Sequence, residues 1–430
     1  MSWNFAKKKY ESGLVLVTVL WVKIVLTLIV TVVAHNALLD VKISRGVVGE
    51  QIRCKWASRA GVETVIGLLA EDERASDSFN DVWADSPADM NSVGLDGCLF
   101  SAEVVDEASK LNINTATKAQ LLWIPDMTEE IVDSILDWRD GDDEIREGGA
   151  ELGYYFNMPY GYMIRNGQFK TIRELLLVKG ITEGLLYGNS GDEYVSEYNK
   201  GWIGYLTCYS YCENTDAEGN ARVNINKADE KKLSQDLSIK RPQAKWIIEN
   251  RSYQTIADLI AKQGQGGGGG GNQQSSQNQN QRGGGNSQQQ QQQQQSEPLD
   301  LNTLYTIADK ITVTDDKTIA GLVNVNTASL TVLTALFEGD EQLALDIISY
   351  REGLETGIES VAQLYEVKSL TTDKAKKYID KVTTRSNIYS IRSTGSSELT
   401  QAVCKVEAVV DRGDEETAAK ILYYCAGAKY

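Results

Sequence analysis

LNINTATKAQL at residues 111–121 returns twice more in the chain, as VNINKADEKKL at 223–233 and VNVNTASLTVL at 323–333. Each copy opens on Asn-x-Asn: Asn112/Asn114, Asn224/Asn226 and Asn324/Asn326. An alanine follows four residues after the first Asn (Ala116, Ala228, Ala328), and a leucine nine after it (Leu121, Leu233, Leu333). Farther on come the apolar pairs Ile135-Leu136, Ile247-Ile248 and Ile347-Ile348, then an arginine at twenty-seven: Arg139, Arg251, Arg351. A second shared piece trails each copy, FKTIREL from Phe169, YQTIADL from Tyr253 and IESVAQL from Ile358. This common register marks three internal repeats. Apolar residues recur at helical spacing on both sides of a short polar turn. Each unit therefore reads as a helical hairpin, with the second Asn or the residue after it as N-cap.

The frame resembles helix-hairpin-helix repeats, including those of competence-type DNA receptors. That resemblance implies an alternative function, membrane-anchored DNA binding. The DNA-binding form carries a glycine hairpin whose backbone N–H groups face phosphate. Here the turns read IPDMTEE, DLSIKRP and FEGDEQ, and VKGIT at 178–182 alone comes near the glycine form. The chain has a net charge of −17. Phosphate affinity rests on Lys and Arg, so no nucleic acid is expected as partner.

Upstream, residues 7–25 read KKKYESGLVLVTVLWVKIV. The apolar run Leu14 to Ala34 is 21 residues, about 31 Å of helix and enough for one bilayer core. Lys7, Lys8 and Lys9 stay cytoplasmic and send the rest outward. Val32-Val33-Ala34 also allows a cleaved signal peptide. From Asp40 to Leu69 the apolar rhythm continues through Val41, Ile43, Val47, Val48, Ile52, Trp56, Ala60, Val62, Val65, Ile66 and Leu69, as one helix leaving the bilayer. A basic leader, a junction glycine and one long helix resemble a type IV pilin-like protein. The resemblance implies cleavage by a prepilin peptidase between Gly13 and Leu14, with the helix retained. Most pilins carry Glu as the fifth mature residue, where this chain has Thr18. Lys23 is a charge at mid-membrane depth, costly unless it snorkels or meets a carboxylate on a partner helix.

The single histidine, His35, sits beside the membrane, so His-based catalysis and His metal clusters fail. The glycine run at 266–271 lacks the Gly-Lys-Ser/Thr of a phosphate loop. Scattered carboxylates read as solvated surface rather than as a general acid–base pair. A non-enzyme is expected. Six cysteines allow 15 pairings; the expected pairs are Cys208 with Cys212 and Cys404 with Cys425, against free buried thiols. Residues 263–296 hold no apolar side chain and read as a disordered Gly/Gln-rich linker.

VVDEASKLNINTA from Val104, then ILDWRDGDDEIREGGAELGYYFNMPYGYMIRNGQFKTIRELLLVKGIT to Thr182, hold pieces in a familiar order. Strand, Asp-Glu, Lys-Leu-Asn-x-Asn, Asp-Trp-Arg-Asp, Gly-Ala-Glu, Tyr-Tyr, Pro-Tyr and ELLLVKGIT resemble the large minor pseudopilin of type II secretion, the K subunit. Downstream, SNIYSIRSTG, TQAVCKVEAVVDRG and AAKILYYC are strand-like, as is CLFSAEVV from Cys98. The resemblance implies an α+β fold. A type IV pilin-like long N-terminal helix lies on a small antiparallel sheet, and a large mostly helical insertion of helix-hairpin-helix-like repeats interrupts that sheet. The expected divisions are a leader at 1–13, the long helix at 14–72 with its membrane half at 14–34, and the first part of the pilin-like domain at 73–110. Two repeats follow at 111–262, the linker at 263–296, a third repeat at 297–386 and C-terminal strands at 387–430.

The implied function is a minor pseudopilin capping the tip of a periplasmic pseudopilus in type II protein secretion, a subunit of assembly and initiation. Thr18 cannot supply the carboxylate with which an added subunit meets the amine of its neighbour, and the bulky insertion suits an end position. The implied partners are other minor pseudopilins, the prepilin peptidase and the inner membrane. The chain would span that membrane once, its C-terminal domain in the periplasm. Asp137, Asp140, Asp142, Asp143, Glu144, Glu147 and Glu151 crowd one loop with Gly141, Gly148 and Gly149, short of a full EF-hand pattern. They read either as a solvated acidic loop or as a calcium site. The K-subunit resemblance implies calcium there, with Asp140, Asp142, Asp143 and Glu151 as ligands.

Overall fold

The structure, a computed structural model, describes residues 8–72, 75–85, 90–188, 201–266, 296–413 and 417–427. Helix α1 spans Lys8–Glu71 without a break. It is long enough to cross a membrane, and its most apolar 18-residue stretch has a mean hydropathy of 2.6. The apolar rhythm beyond the expected bilayer half is used only in part. Val41, Ile43, Val47, Val48, Ile52 and Trp56 are exposed, while Cys54, Ala57, Val62, Val65 and Leu69 are buried. The cause is the reach of the sheet, which extends down the helix as far as Glu50, where the Ser397 hydroxyl donates to Glu50 Oε2 at 2.6 Å.

The sheet has five strands: β1 (Val93–Leu95), β2 (Cys98–Asp106), β3 (Ile388–Ser397), β4 (Val403–Asp411) and β5 (Lys420–Ala426). They lie side by side in chain order, each antiparallel to its neighbour. The expected sheet is therefore present, with β1 added at its edge. β2 and β3 pair from Tyr389 with Asp106 to Ser397 with Cys98, so everything between them is an insertion into one hairpin. Val62, Val65 and Leu69 of α1 pack on Tyr389, Ile391, Val406, Ala408 and Val410. Two glycines allow the close approach. A side chain at Gly61 would strike Ser393 and Phe100, and one at Gly395 would strike the backbone of Cys54 and Ser58. Position 393 thus faces 61, 395 faces 54–58, and 397 faces 50. β3 runs back along α1 from its far end, and the insertion is attached at the end of α1 opposite the apolar half.

Inside the insertion the repeat frame becomes a set of contacts. Each copy begins as a short strand paired in parallel with a later one: Leu111–Asn112 with Leu206–Thr207, Val223–Asn224 with Ile311–Thr312, and Val323–Asn324 with Val382–Thr383. The first Asn accepts the N–H of the second at 2.9, 2.9 and 3.0 Å. The second Asn then clamps one peptide unit of the trailing motif. Asn114 donates to Phe169 O and accepts its N–H, Asn226 does so with Tyr253, and Asn326 with Ile358. The closing arginine reaches back to two carbonyls: Ile113 and Ala116 from Arg139, Ile225 and Ala228 from Arg251, Val325 and Ala328 from Arg351. The N-caps are not the asparagines. Thr117, Asp229 and Ser329 cap the first helices (Lys118–Leu121, Glu230–Asp236, Leu330–Leu336), because the Asn residues are already engaged in the strand and clamp. The second helices are Glu129–Arg139, Arg241–Glu249 and Glu341–Glu352.

The repeat boundaries also shift. Helix Ile256–Gly266 enters the expected linker, and residues 267–295 lie outside the described residues. Because Ile311–Thr312 pairs with Val223–Asn224, the linker interrupts the second repeat instead of separating it from the third. Apolar residues from all three repeats share one core.

Neither expected cysteine pair, Cys208 with Cys212 or Cys404 with Cys425, is bonded in this structure. Cys425 lies opposite Glu407 on β4, three residues from Cys404. Strand alternation therefore aims those two thiols at opposite faces. Cys404 Sγ turns to Gln51 O on α1 at 3.8 Å. Cys212 is buried and donates to Arg385 O at 3.1 Å, while Cys208 is half-buried.

Candidate metal centre

The second helix of the first repeat ends at Arg139, and the chain turns through the acidic loop before the short helix Leu152–Phe156. Behind the loop stands an aromatic wall. Trp138 meets Tyr155 edge-on at 5.2 Å and stacks with Phe169 at 6.3 Å. Asp137 is fully buried, its Oδ1 2.5 Å from Arg146 Nη1, which also reaches Asp140 Oδ2 at 2.6 Å. Asp133 is held by Lys118 at 2.6 Å and by the Gly148 N–H at 3.2 Å. Gly149 lies against Asp137 so closely that any side chain there would meet the carboxylate.

Four oxygens remain. Asp140 Oδ1, both carboxylate oxygens of Glu151 and Asn166 Oδ1 are buried and have no hydrogen-bond partner. Glu151 is 2 % exposed, and its side chain caps no helix. Burial, then Asp137, Asp140, Asp143 and Asp142 in that order, push its carboxyl up to about 7. A buried oxygen without a donor costs free energy until something positive reaches it. Hard cations take six to eight oxygen ligands; these four are of the right donor type and supply part of such a shell.

Of the four expected ligands, Asp140 and Glu151 have buried carboxylate oxygens without a hydrogen-bond partner, and the charge of Asp140 acts on Glu151. Asp142 and Asp143 are exposed. Asp142 accepts the Glu144 N–H at 2.9 Å, and Asp143 accepts from Asn166 Nδ2 at 3.0 Å. Asn166 was not legible as a ligand, since it lies beyond the acidic loop and has an ordinary turn sequence around it. Among the described residues, Asp72, Asp77 and Asp81 have carboxylate oxygens within 4.8 Å of one another. That trio already has a cation, because Arg412 Nη1 lies 3.4 Å from Asp72 and 2.9 Å from Asp77.

The residues expected to serve processing and assembly lie on α1. Gly13 and Leu14 fall within the helix, and their surroundings are outside the described residues. Thr18 is exposed, and its hydroxyl donates to Val15 O at 2.9 Å, so it is satisfied within its own helix. Lys23 is exposed on the same helix.

Comparison with known proteins locates these features. Two family models, both described as Type II secretion system (T2SS), protein K, match residues 109–187 and 323–381. The first match contains the candidate metal centre and the second the third repeat; neither covers the middle repeat. None of the curated proteins matches the chain. Among solved structures, a chain of the GspK-GspI-GspJ complex from the enterotoxigenic Escherichia coli Type 2 Secretion System is similar in fold. It is 12% identical, with 89% of this chain and 98% of that chain covered, at a TM-score of 0.50. The chain is thus similar to protein K of the type II secretion system in its first and third repeats, and similar in fold to a member of that complex.

Proposed function

We propose that this subunit caps the tip of the pseudopilus, in the periplasm, anchored in the inner membrane by the apolar half of α1. One observation carries the reading: the insertion is attached at the end of α1 opposite the apolar half. A helix rises about 1.5 Å per residue, so the 37 residues from His35 to Glu71 hold the insertion roughly 55 Å beyond the bilayer half. Such bulk is accommodated above a fibre and obstructs neighbours within its shaft. Thr18 supports the same reading, since an incoming subunit needs a carboxylate there to offset the buried amine of its neighbour. The chain is joined from below through its own Leu14 amine, once the prepilin peptidase has cut after Gly13. The solved chain of similar fold comes from a GspK-GspI-GspJ complex, and other minor pseudopilins are proposed as partners here. Lys23 then meets a carboxylate on a neighbouring membrane helix. Calcium is proposed on Asp140, Glu151 and Asn166, with Asp142 and Asp143 beside them. It would neutralise the loop and tie the first repeat to its aromatic wall.

The test labels the insertion on assembled fibres of the wild type and of Thr18→Glu. One label per fibre end is expected for the wild type. Label distributed along the shaft overturns the assignment.

A further inference from the structure

We propose that Cys54 and Cys98 form a disulfide that pins α1 to β2 where the helix leaves the sheet. Cys54 lies on the buried stripe of α1, and Cys98 is the first residue of β2. Both thiols are buried and share one small cluster with Ala57 and Phe100. Their sulfurs stand 4.0 Å apart. A side-chain rotation brings such a pair to the bonded separation of about 2.05 Å. Cys404 packs against the same cluster and Cys54 also meets the Ala402 carbonyl at 3.2 Å, but among the described residues Cys54 and Cys98 are the pair in sulfur–sulfur contact. Cys404 turns to the Gln51 carbonyl, Cys425 to its own side of β5, and Cys212 to the Arg385 carbonyl.

The location gives the bond a purpose. Below Glu50 no part of the described chain covers α1, and its residues from Val15 to Val48 are exposed. The Glu50–Ser397 hydrogen bond and the Cys54–Cys98 contact are therefore among the last attachments between rod and sheet. Any force drawn along α1 reaches the globular part first at this point. A covalent bond there prevents the helix from peeling off the sheet one turn at a time. It also closes the chain between positions 54 and 98, which restricts the unfolded state.

The chemistry balances with a disulfide-bearing oxidant, RSSR. The Cys54 thiolate attacks one sulfur, giving a mixed disulfide and one RS−. The Cys98 thiolate then attacks the Cys54 sulfur, forming the bond and expelling the second RS−. The two thiol protons end on the two RSH products. Burial, with Cys98 close by, holds the Cys54 thiol up at about 11. The exchange therefore belongs to folding, before α1 has docked, and is slow afterwards. In the periplasmic placement proposed above, dithiol oxidases of that compartment act as RSSR. The pairing itself rests on the sulfur geometry, and the test below reads it without reference to fibre position.

The full-length chain, extracted in detergent, is unfolded in reductant and refolded with oxidised glutathione. It is then denatured and treated with a maleimide mass tag. Four tags instead of six are expected, with a non-reduced digest linking the peptides of Cys54 and Cys98. Reductant should lower the melting temperature of the oxidised chain by several degrees. Cys54→Ala, Cys98→Ala and the double variant should each lose that sensitivity to reductant. Six tags on the refolded wild type, or a link from Cys54 to Cys404 instead, would overturn the proposal without recourse to any variant.

Discussion

At the residue scale the repeats depend on a few side chains that each serve two backbone groups. Asn326 is 2 % exposed, gives its amide N–H to Ile358 O at 2.8 Å and takes the Ile358 N–H at 2.8 Å. Asn326→Asp keeps the acceptor and loses the donor, leaving a carboxylate against a carbonyl. A loss of about 1–3 kcal/mol is expected in urea unfolding; an unchanged midpoint would mean the clamp adds nothing. The metal centre gives a second expectation. Calcium should raise the melting temperature of the wild type, with about 2.7 kcal/mol of stabilisation at a hundred times Kd. Glu151→Gln should abolish the rise, and calorimetry without heat on the wild type would remove the site. The Asn-x-Asn frame was legible because the chain repeats it. Its mechanism was not, since the clamp partners lie 27, 32 and 55 residues away. The acidic loop was legible as a charge problem. Which acids turn inward was not: Asp142 and Asp143 look no different in sequence from Asp140, and Asn166 enters from another turn.

At the element scale α1 and the sheet can be separated into a part the pattern announces and a part that packing decides. Alternation in SNIYSIRSTG and TQAVCKVEAVVDRG announces β3 and β4. The apolar run from Val41 to Trp56 announces a helix but not its exposure, because the sheet ends opposite Glu50. Gly395 decides how closely the two elements sit. A methyl there would meet the Cys54 carbonyl and stand 2.7 Å from Ser58 N. Gly395→Ala must push α1 away, at about 1–3 kcal/mol. Gly94→Ala, on β1 with nothing within 4 Å, should change stability by no more than about 0.5 kcal/mol. Equal melting temperatures for the two variants would refute the close approach. The apolar half of α1 raises its own question of retention. Mass spectrometry of the extracted chain should find Leu14 at the N-terminus; a chain starting at His35 would mean a cleaved signal peptide instead.

At the scale of the whole molecule, a buried polar seam joins α1, the sheet and the insertion, and Asp77 is its hub. Its carboxylate accepts the Tyr389 hydroxyl at 2.6 Å, the Ser386 N–H at 2.6 Å and Arg412 Nη1 at 2.9 Å. The peptide carbonyl of Asp77 takes Asn324 Nδ2 at 3.0 Å, so the third repeat hangs from the same residue. Asp106 lies nearby and binds Asn324 and Thr327 of that repeat. Burial pushes the Asp77 carboxyl up to about 6 from 3.8, although Arg412, Tyr389 and Ser386 all draw it down. A carboxyl raised on folding binds its proton more tightly in the native state. Its stabilising contribution is full below the unfolded value near 4 and is lost as pH rises through about 6. Between pH 5 and pH 7.5 the loss amounts to about 1.4 kcal/mol, the equivalent of one pKa unit. Asp77→Asn carries no such proton. The stability of the wild type relative to Asp77→Asn should therefore fall by about that amount over the interval when urea midpoints are compared. A difference that is constant, or that grows with pH, would mean that Arg412 dominates and that the seam is held together as an ion pair throughout.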